Sequence, residues 1–354
     1  MTAPPLPHNR ILIGDVRERL LELPDASVDC VLTSPPYFGL RDYDHPAQLG
    51  LEPNVEEWVK DLHVICRKLA RILKPTGSLW LNVADSYSAH SREGASPKSL
   101  LLGPQRLVLA LAEDGWTVRN QIIWHKPNAM PSSIRDRLAC TYEVAYLLVR
   151  NKRYFFDLDC IRVPSRSIRN RPRGEHYSGY PPDYAVPRGG QINRNNGLGK
   201  KCAHPLGKNP GDVWSVGTVG FRGAHFATFP LQLIERPLLA TCPENVCAEC
   251  GRPWQRTVVG RTGPLAVPGE LRPSCACTAV ARPGVVLDPF IGSGTVAVAA
   301  EMHGRDWVGI ELNPDYAVMA ERRLEIWRQQ QATMKTEHPA GGHDERPPPA
   351  QQAA

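Results

Sequence analysis

The chain has 354 residues, 42% of them hydrophobic and 22% charged, with a net charge of +6. This is the composition of an ordinary globular protein, long enough for one large α/β domain with insertions or for two modest domains. No apolar run approaches the roughly 20 residues of a membrane span, and Met1 to Arg10 is Pro-rich without a signal-peptide core, so the expectation is a cytoplasmic protein with no membrane partner.

Ile11 to Asp15 reads as a short buried strand ending in a turn. Val28 to Thr33 reads as a second strand that runs into Ser34-Pro35-Pro36-Tyr37. Consecutive prolines must stop the ladder there and present those residues at its C-terminal edge. Trp58, Leu62, Ile65, Leu69 and Ile72 recur at helical spacing, which predicts a helix over Val55 to Leu73. Ser78 to Val83 is the next strand, Leu101 to Ala112 the next helix, and Trp116 to Trp124 and Val144 to Val149 are two strands joined by a loop. Cys160 to Arg222 has little periodicity and holds eleven Lys or Arg against three Asp or Glu, so it carries the whole basic excess. Such a segment is either a solvated basic loop or a nucleic-acid contact surface. Phe229 to Ala240 reads as a helix and Cys242 to Cys277 as a Cys-bearing insert. Val285 to Leu287 and Val308 to Ile310 read as strands, Thr295 to His303 and Pro314 to Arg328 as helices. From Gln330 onward Gln, Pro and Ala dominate, which predicts a disordered tail. Strands alternating with helices imply a doubly wound, Rossmann-like α/β sheet with ligands at the C-terminal strand ends.

Two stretches carry chemistry. In Asp288-Pro289-Phe290-Ile-Gly292-Ser293-Gly294-Thr295, glycines let the backbone pass close to a ligand at a helix N-terminus. Glu311 closes the following strand, where an acid can accept from both ribose hydroxyls. No Gly-Lys-Ser/Thr follows, which excludes a P-loop, and Asp288 would repel phosphate. An adenosine ligand bearing a cationic sulfonium or amino group fits, and S-adenosylmethionine is both. In the other stretch, the Ser34 hydroxyl and the Pro35 carbonyl are two acceptors that could pull an exocyclic amino group towards tetrahedral geometry and free its lone pair. The rigid Pro35-Pro36 backbone would hold the carbonyl outward, and Tyr37 could stack on a flipped base. The plain alternative is a Pro-rich turn with a surface tyrosine.

Ser34-Pro-Pro-Tyr37 near one end and Asp288 to Thr295 near the other resemble the DNA amino-methyltransferases acting on cytosine N4 or adenine N6. The chemical motif precedes the cofactor motif, as in the circularly permuted beta-type members. Gly14-Asp15 resembles the segment beside the cofactor adenine, and His225 to Phe229-Pro230 the segment closing over its methionine part. Trp124-His125-Lys126-Pro127-Asn128 resembles the lining of the base pocket. The resemblance implies a catalytic half with the target-base pocket over 10–160, a basic target-recognition insert over 161–222 and a cofactor-binding half over 223–328; the cysteines mark a zinc-ribbon-like insert over 242–280 within the last, and the composition a disordered tail over 330–354. It implies cofactor contacts from Asp15, Phe229, Pro230, Asp288, Pro289, Phe290, Gly292, Ser293, Gly294, Thr295 and Glu311. It also implies contacts to double-stranded DNA from Lys126 and from Arg166, Arg169, Arg171, Arg173 and Arg194. Transfer is direct in this family, and the chain has no Pro-Cys dipeptide, the nucleophile signature of C5-cytosine enzymes. Ser at position 34 goes with cytosine N4 in the family, Asp or Asn with adenine N6. Homodimerisation and a companion restriction endonuclease are left open.

Cys247-x-x-Cys250 followed by Gly251 has the shape of a zinc knuckle, and Cys275 and Cys277 would complete four thiolates around a structural zinc. Cys242 is a substitute ligand, and free buried thiols are the alternative. Cys30, Cys66, Cys140 and Cys160 read as core thiols. Asp85 either lines the base pocket or caps the next segment. Three other readings compete: adenine N6 as the target, an inactive zinc-bearing DNA-binding protein, and a methyltransferase for RNA, protein or a small molecule. The intact Ser34 and Asp288 motifs argue against the second, and the basic insert against the third.

Overall fold

The structure, a computed structural model, describes residues 5–43, 45–164, 204, 206–218, 229–259 and 267–337. In chain order the elements are β1 (Arg10–Ile13), α1 (Val16–Glu22), β2 (Val28–Thr33), α2 (Val55–Ile72), β3 (Leu73–Val83), α3 (Gly103–Glu113), β4 (Thr117–His125), β5 (Tyr142–Val149) and β6 (Val213–Ser215). There follow α4 (Leu231–Thr241), β7 (Val246–Cys247), β8 (Gln255–Val259), β9 (Val267–Arg272), β10 (Ala281–Arg282), β11 (Val285–Asp288), α5 (Thr295–Met302), β12 (Asp306–Glu311) and α6 (Pro314–Glu337). One eight-stranded sheet has the order β1-β12-β11-β2-β3-β5-β4-β6. Only β5 runs antiparallel to its neighbours.

Side chains alternate across the sheet, so each central strand feeds two cores. Leu79 and Leu81 of β3 pack with α1, α2 and α3 on one face. Trp80 between them packs with α4, α5 and α6 on the other. Strands covered on both faces are mostly apolar, and every residue of β2 is buried, Asp29 and Thr33 included. α2 starts at Asn54, whose side chain accepts from the Glu57 amide at 2.9 Å. It then buries Trp58, Leu62, Ile65, Leu69 and Ile72 on one face, each contributing about 1.5–3 kcal/mol.

The central seam joins distant parts of the chain, because β11 lies between β12 and β2. At its N-terminal end the Lys74 ammonium donates to both oxygens of Asp29, at 2.8 and 2.7 Å, and the Val285 amide donates to Asp29 Oδ2 at 2.9 Å. The Lys74 and Asp29 side chains are only 8% and 1% exposed, so three strands share one buried ion pair.

Some expectations change. α6 continues to Glu337, past the point where the tail was expected to begin, because no Gly or Pro interrupts Gln330 to Glu337. Cys30 and Cys66 are core thiols, pushed up to about 12 by burial. Cys140, however, is exposed, and Cys160 is half-buried with its thiol on Asp157 Oδ2 at 3.0 Å. No helix among the described residues is long and apolar enough to cross a membrane.

Asp29→Ala leaves the Lys74 ammonium buried without its partner and is expected to destabilise the fold by about 3–5 kcal/mol. The joint change Asp29→Leu with Lys74→Met is expected to cost less than Asp29→Ala alone. Urea unfolding midpoints of the two variants check this.

Candidate active site

A cavity of about 1100 Å³, open to solvent, lies at the C-terminal ends of β1, β2, β11 and β12. It brings together Asp15, Ser34, Pro36, Phe229, Pro289, Phe290, Gly292, Ser293, Thr295 and Glu311 from five separate stretches of chain. Gly292 and Gly294 have φ of 47° and 79°, the left-handed region that glycine enters without strain, and these turns deliver the chain into α5.

Acids ring this end of the sheet. Glu311 Oε2 accepts from the Gly292 amide at 2.9 Å and Oε1 from the Asn313 amide at 3.0 Å, leaving each oxygen a further lone pair. Burial pushes its carboxyl up. Asp15 caps α1, accepting from the Arg17 amide at 2.7 Å. Burial acts to raise its carboxyl, but the bonds from Arg17 outweigh this and hold it below its ordinary value. Asp288 is fully buried one residue behind the cavity wall. Its Oδ1 accepts from Thr33 Oγ1 at 2.8 Å and from the Phe290 amide at 3.1 Å, while Oδ2 has no partner among the described residues. Burial pushes this carboxyl up to about 7.

Ser34 follows directly on β2. Pro35 is buried, and the Pro36 carbonyl accepts from Trp58 Nε1 at 3.0 Å, so α2 holds the Pro-Pro turn from below. Tyr37 is half-buried, with its ring against the α2 core, and does not face outward as a free stacking surface. Its hydroxyl lies 2.8 Å from Ser34 Oγ, 2.8 Å from Asn82 Nδ2 and 2.7 Å from Glu143 Oε2. Burial and the Glu143 carboxylate hold the phenol well above its ordinary pKa. Lys126, expected to reach DNA, is turned inward. It ion-pairs with Glu143 Oε1, and its ammonium lies 4.7 Å from the centre of the Trp124 ring.

Other expected residues lie elsewhere. Pro230 is buried behind Phe229 at the start of α4, and Gly294 packs against Ala320. Ser293 and Thr295 line the cavity, yet their hydroxyls also accept from Arg323 of α6, at 3.1 and 2.9 Å. Asp85 accepts from the amides of Ser86, Leu102 and Gly103 at 2.9, 3.1 and 3.2 Å, which makes it a cap for α3. Arg166, Arg169, Arg171, Arg173, Arg194 and His225 lie outside the described residues. Sequence reasoning missed Asn82, Glu143 and Arg323. The signal for the first two was a polar side chain interrupting an apolar strand.

The sulfur atoms of Cys247, Cys250, Cys275 and Cys277 lie within 4.8 Å of one another. A tetrahedral zinc with arms of about 2.3 Å places its sulfurs about 3.8 Å apart, so the cluster has the right size. Cys242 stands apart from it, buried at the end of α4. β7 and β10 pair with each other to close the base of the insert, and Arg256 ties it to the main domain, its Nε donating to Asp157 Oδ2 at 3.0 Å.

The N6_N4_Mtase family, described as DNA methylase, matches residues 28–322. The Type II methyltransferase M.Cfr9I of Citrobacter freundii is 33% identical over 88% of this chain and 86% of its own length. The Type II methyltransferase M.SmaI of Serratia marcescens is 33% identical over 89% and 90%. Among solved structures, the PvuII DNA methyltransferase (cytosine-N4-specific) has the same fold, with a TM-score of 0.55 and 17% identity over 92% of this chain and 93% of that one. The chain belongs to the N6_N4_Mtase family of DNA methylases.

Proposed function

We propose that this chain moves a methyl group from S-adenosylmethionine to N4 of a cytosine flipped out of duplex DNA, as the site-specific modification enzyme of a Type II system. One observation carries the reading: Ser34, a neutral hydroxyl, shares a cavity wall with the glycine turn after β11 and with Glu311. A cofactor held at the turn and an amino group held at Ser34 would therefore meet. The relatives named above are Type II methyltransferases matched over most of their length. The likeness to the cytosine-N4-specific structure bears on the fold, and the choice of cytosine rests on Ser34.

Glu311 would take the ribose hydroxyls on its free lone pairs. Asp288, a buried carboxyl short of one partner just behind the cavity wall, would favour the cationic end of the cofactor, whose charge in turn favours its ionised form. When bound, S-adenosylmethionine supplies a methyl activated by a sulfonium. Ser34 Oγ and the Pro35 carbonyl would accept the two amino hydrogens and bend the nitrogen towards a tetrahedral geometry, so the lone pair is available without a covalent intermediate. The basic segment 161–222 is the proposed recognition surface, with Arg166, Arg169, Arg171, Arg173 and Arg194 on phosphates or guanines. Four thiolates leave no open position on a zinc ion, so the metal proposed for Cys247, Cys250, Cys275 and Cys277 is a structural staple.

Mass spectrometry of nucleosides from methylated DNA is the primary test, with N4-methylcytosine expected. N6-methyladenine would overturn the reading of Ser34 while keeping the family.

Asp288 supplies a second test. The folded chain keeps this proton up to about pH 7, whereas the unfolded chain loses it near pH 4. The stability tied to this group is therefore full below pH 4 and lost as the pH rises to about 7. Ligand-free Asp288→Asn is expected to unfold at a higher temperature than the unsubstituted protein at pH 8. The advantage should shrink towards pH 5, and cofactor affinity should fall roughly tenfold. Equal melting at every pH with unchanged affinity would count against the assignment.

For the metal, elemental analysis is expected to find one zinc per chain, lost in Cys275→Ser together with a fall in melting temperature. A zinc-free chain indifferent to chelators would remove it.

A further inference from the structure

Resting on the reading above, we propose that Glu143 is a positioning residue which, through Tyr37, fixes the direction of the Ser34 hydroxyl, so that Ser34 can only accept from the substrate amino group. A serine hydroxyl is ambivalent, since it donates one hydrogen and accepts on two lone pairs. Turned the wrong way, its proton would compete for the nitrogen lone pair that must take the methyl. Three oxygens in a row remove that freedom. Glu143 is ion-paired with Lys126 through Oε1 and is therefore an acceptor at Oε2. Tyr37 Oη lies 2.7 Å from Oε2, and two oxygens at that distance need a proton between them. Only the phenol can supply it. Ser34 Oγ lies 2.8 Å from the same phenol oxygen, whose one hydrogen is already used, so the Ser34 hydroxyl must donate to Tyr37.

Asn82 completes the arrangement. Its amide nitrogen, 2.7 Å from Glu143 Oε2 and 2.8 Å from Tyr37 Oη, is the end that an acceptor-only carboxylate requires. The phenol oxygen then accepts from Asn82 and Ser34 and donates to Glu143, which uses all of its capacity. Tyr37, Asn82 and Glu143 are not among the residues lining the cavity, whereas Ser34 is. Asn82 Nδ2 also reaches Ser34 Oγ, at 3.5 Å, so at least one lone pair of Ser34 is what remains for the substrate.

Glu143→Gln keeps the shape and reverses the chain. Lys126 draws the new amide oxygen, so the amide nitrogen faces Tyr37. Asn82 must turn its amide oxygen to that nitrogen, and the phenol, no longer bound to donate to position 143, is free to donate to Ser34, so the Ser34 proton is no longer held away from the cavity. Single-turnover methyl transfer to DNA is expected to slow roughly a hundredfold, the scale of losing one preset transition-state hydrogen bond. Equilibrium binding of S-adenosylmethionine and of DNA should stay within about threefold of the starting protein, the pattern of a transition-state interaction. The decisive comparison is Ser34→Ala with and without Glu143→Gln. If Glu143 acts through the Ser34 hydroxyl, the double variant is no slower than Ser34→Ala alone. Tyr37→Phe breaks the same chain at its middle and serves as the second background, where adding Glu143→Gln is again expected to cost nothing. Losses that multiply in both backgrounds, or ligand binding that falls in step with rate, would overturn the inference while leaving the methyltransferase reading intact. An unsubstituted protein that transfers no methyl to DNA would overturn both.

Discussion

The hydrogen bond from Thr33 Oγ1 to Asp288 Oδ1 joins two strand ends that lie 255 residues apart in the chain. Ser34 follows Thr33 and Pro289 follows Asp288, so this bond fixes the distance between the acceptor at one motif and the ligand turn at the other. The opposite end of the same seam is held by Asp29, which takes Lys74 from β3 and the first amide of β11. Pinned at both ends, β2 and β11 cannot slip in register. A slip of one residue would turn every side chain of β11 to the other face and carry Asp288 away from Thr33. The geometry at the active site is inherited from that seam.

The seam also sets the electrostatics. Asp29 is buried beside an ammonium and is fully partnered. Asp288 is buried just as deeply but lacks a partner on one oxygen. A buried carboxyl with such a deficit at a strand end beside a cavity is one that a ligand can complete. Glu311 sits between these extremes, oriented by two amides yet able to accept more. The acidic character of this cavity matches a cationic ligand.

Much of this was legible in the sequence. The helical spacing of Trp58 to Ile72, the strand stops at Ser34 and Asp288, and the cysteine cluster all follow from local patterns, and the structure gathers most of the expected cofactor residues around one cavity. What was not legible depends on strand pairing at long range. Asn82 and Glu143 meet because β3 and β5 run antiparallel, and nothing in either stretch alone announces the other. Lys126 was read as a DNA contact from the motif around it, and its pairing with Glu143 on the neighbouring strand could not be read from either stretch. Tyr37 was read by its ring, whereas its hydroxyl is what the structure engages. Asp85 was undecided because a carboxylate near a strand end serves a pocket and a cap equally well until the next helix is placed.

The distance between Thr33 and Asp288 along the chain has a consequence for the order of events during synthesis. At about 5–20 residues per second, roughly 13 to 50 seconds separate the appearance of β2 from that of β11. For most of that interval β2 has β3 beside it but lacks its other neighbour, and the cavity has only one of its walls. A nascent chain can therefore assemble the Ser34 side early, yet it cannot hold a cofactor until the ribosome has passed Glu311. Competence to bind the methyl donor becomes a report that nearly the whole domain has been made.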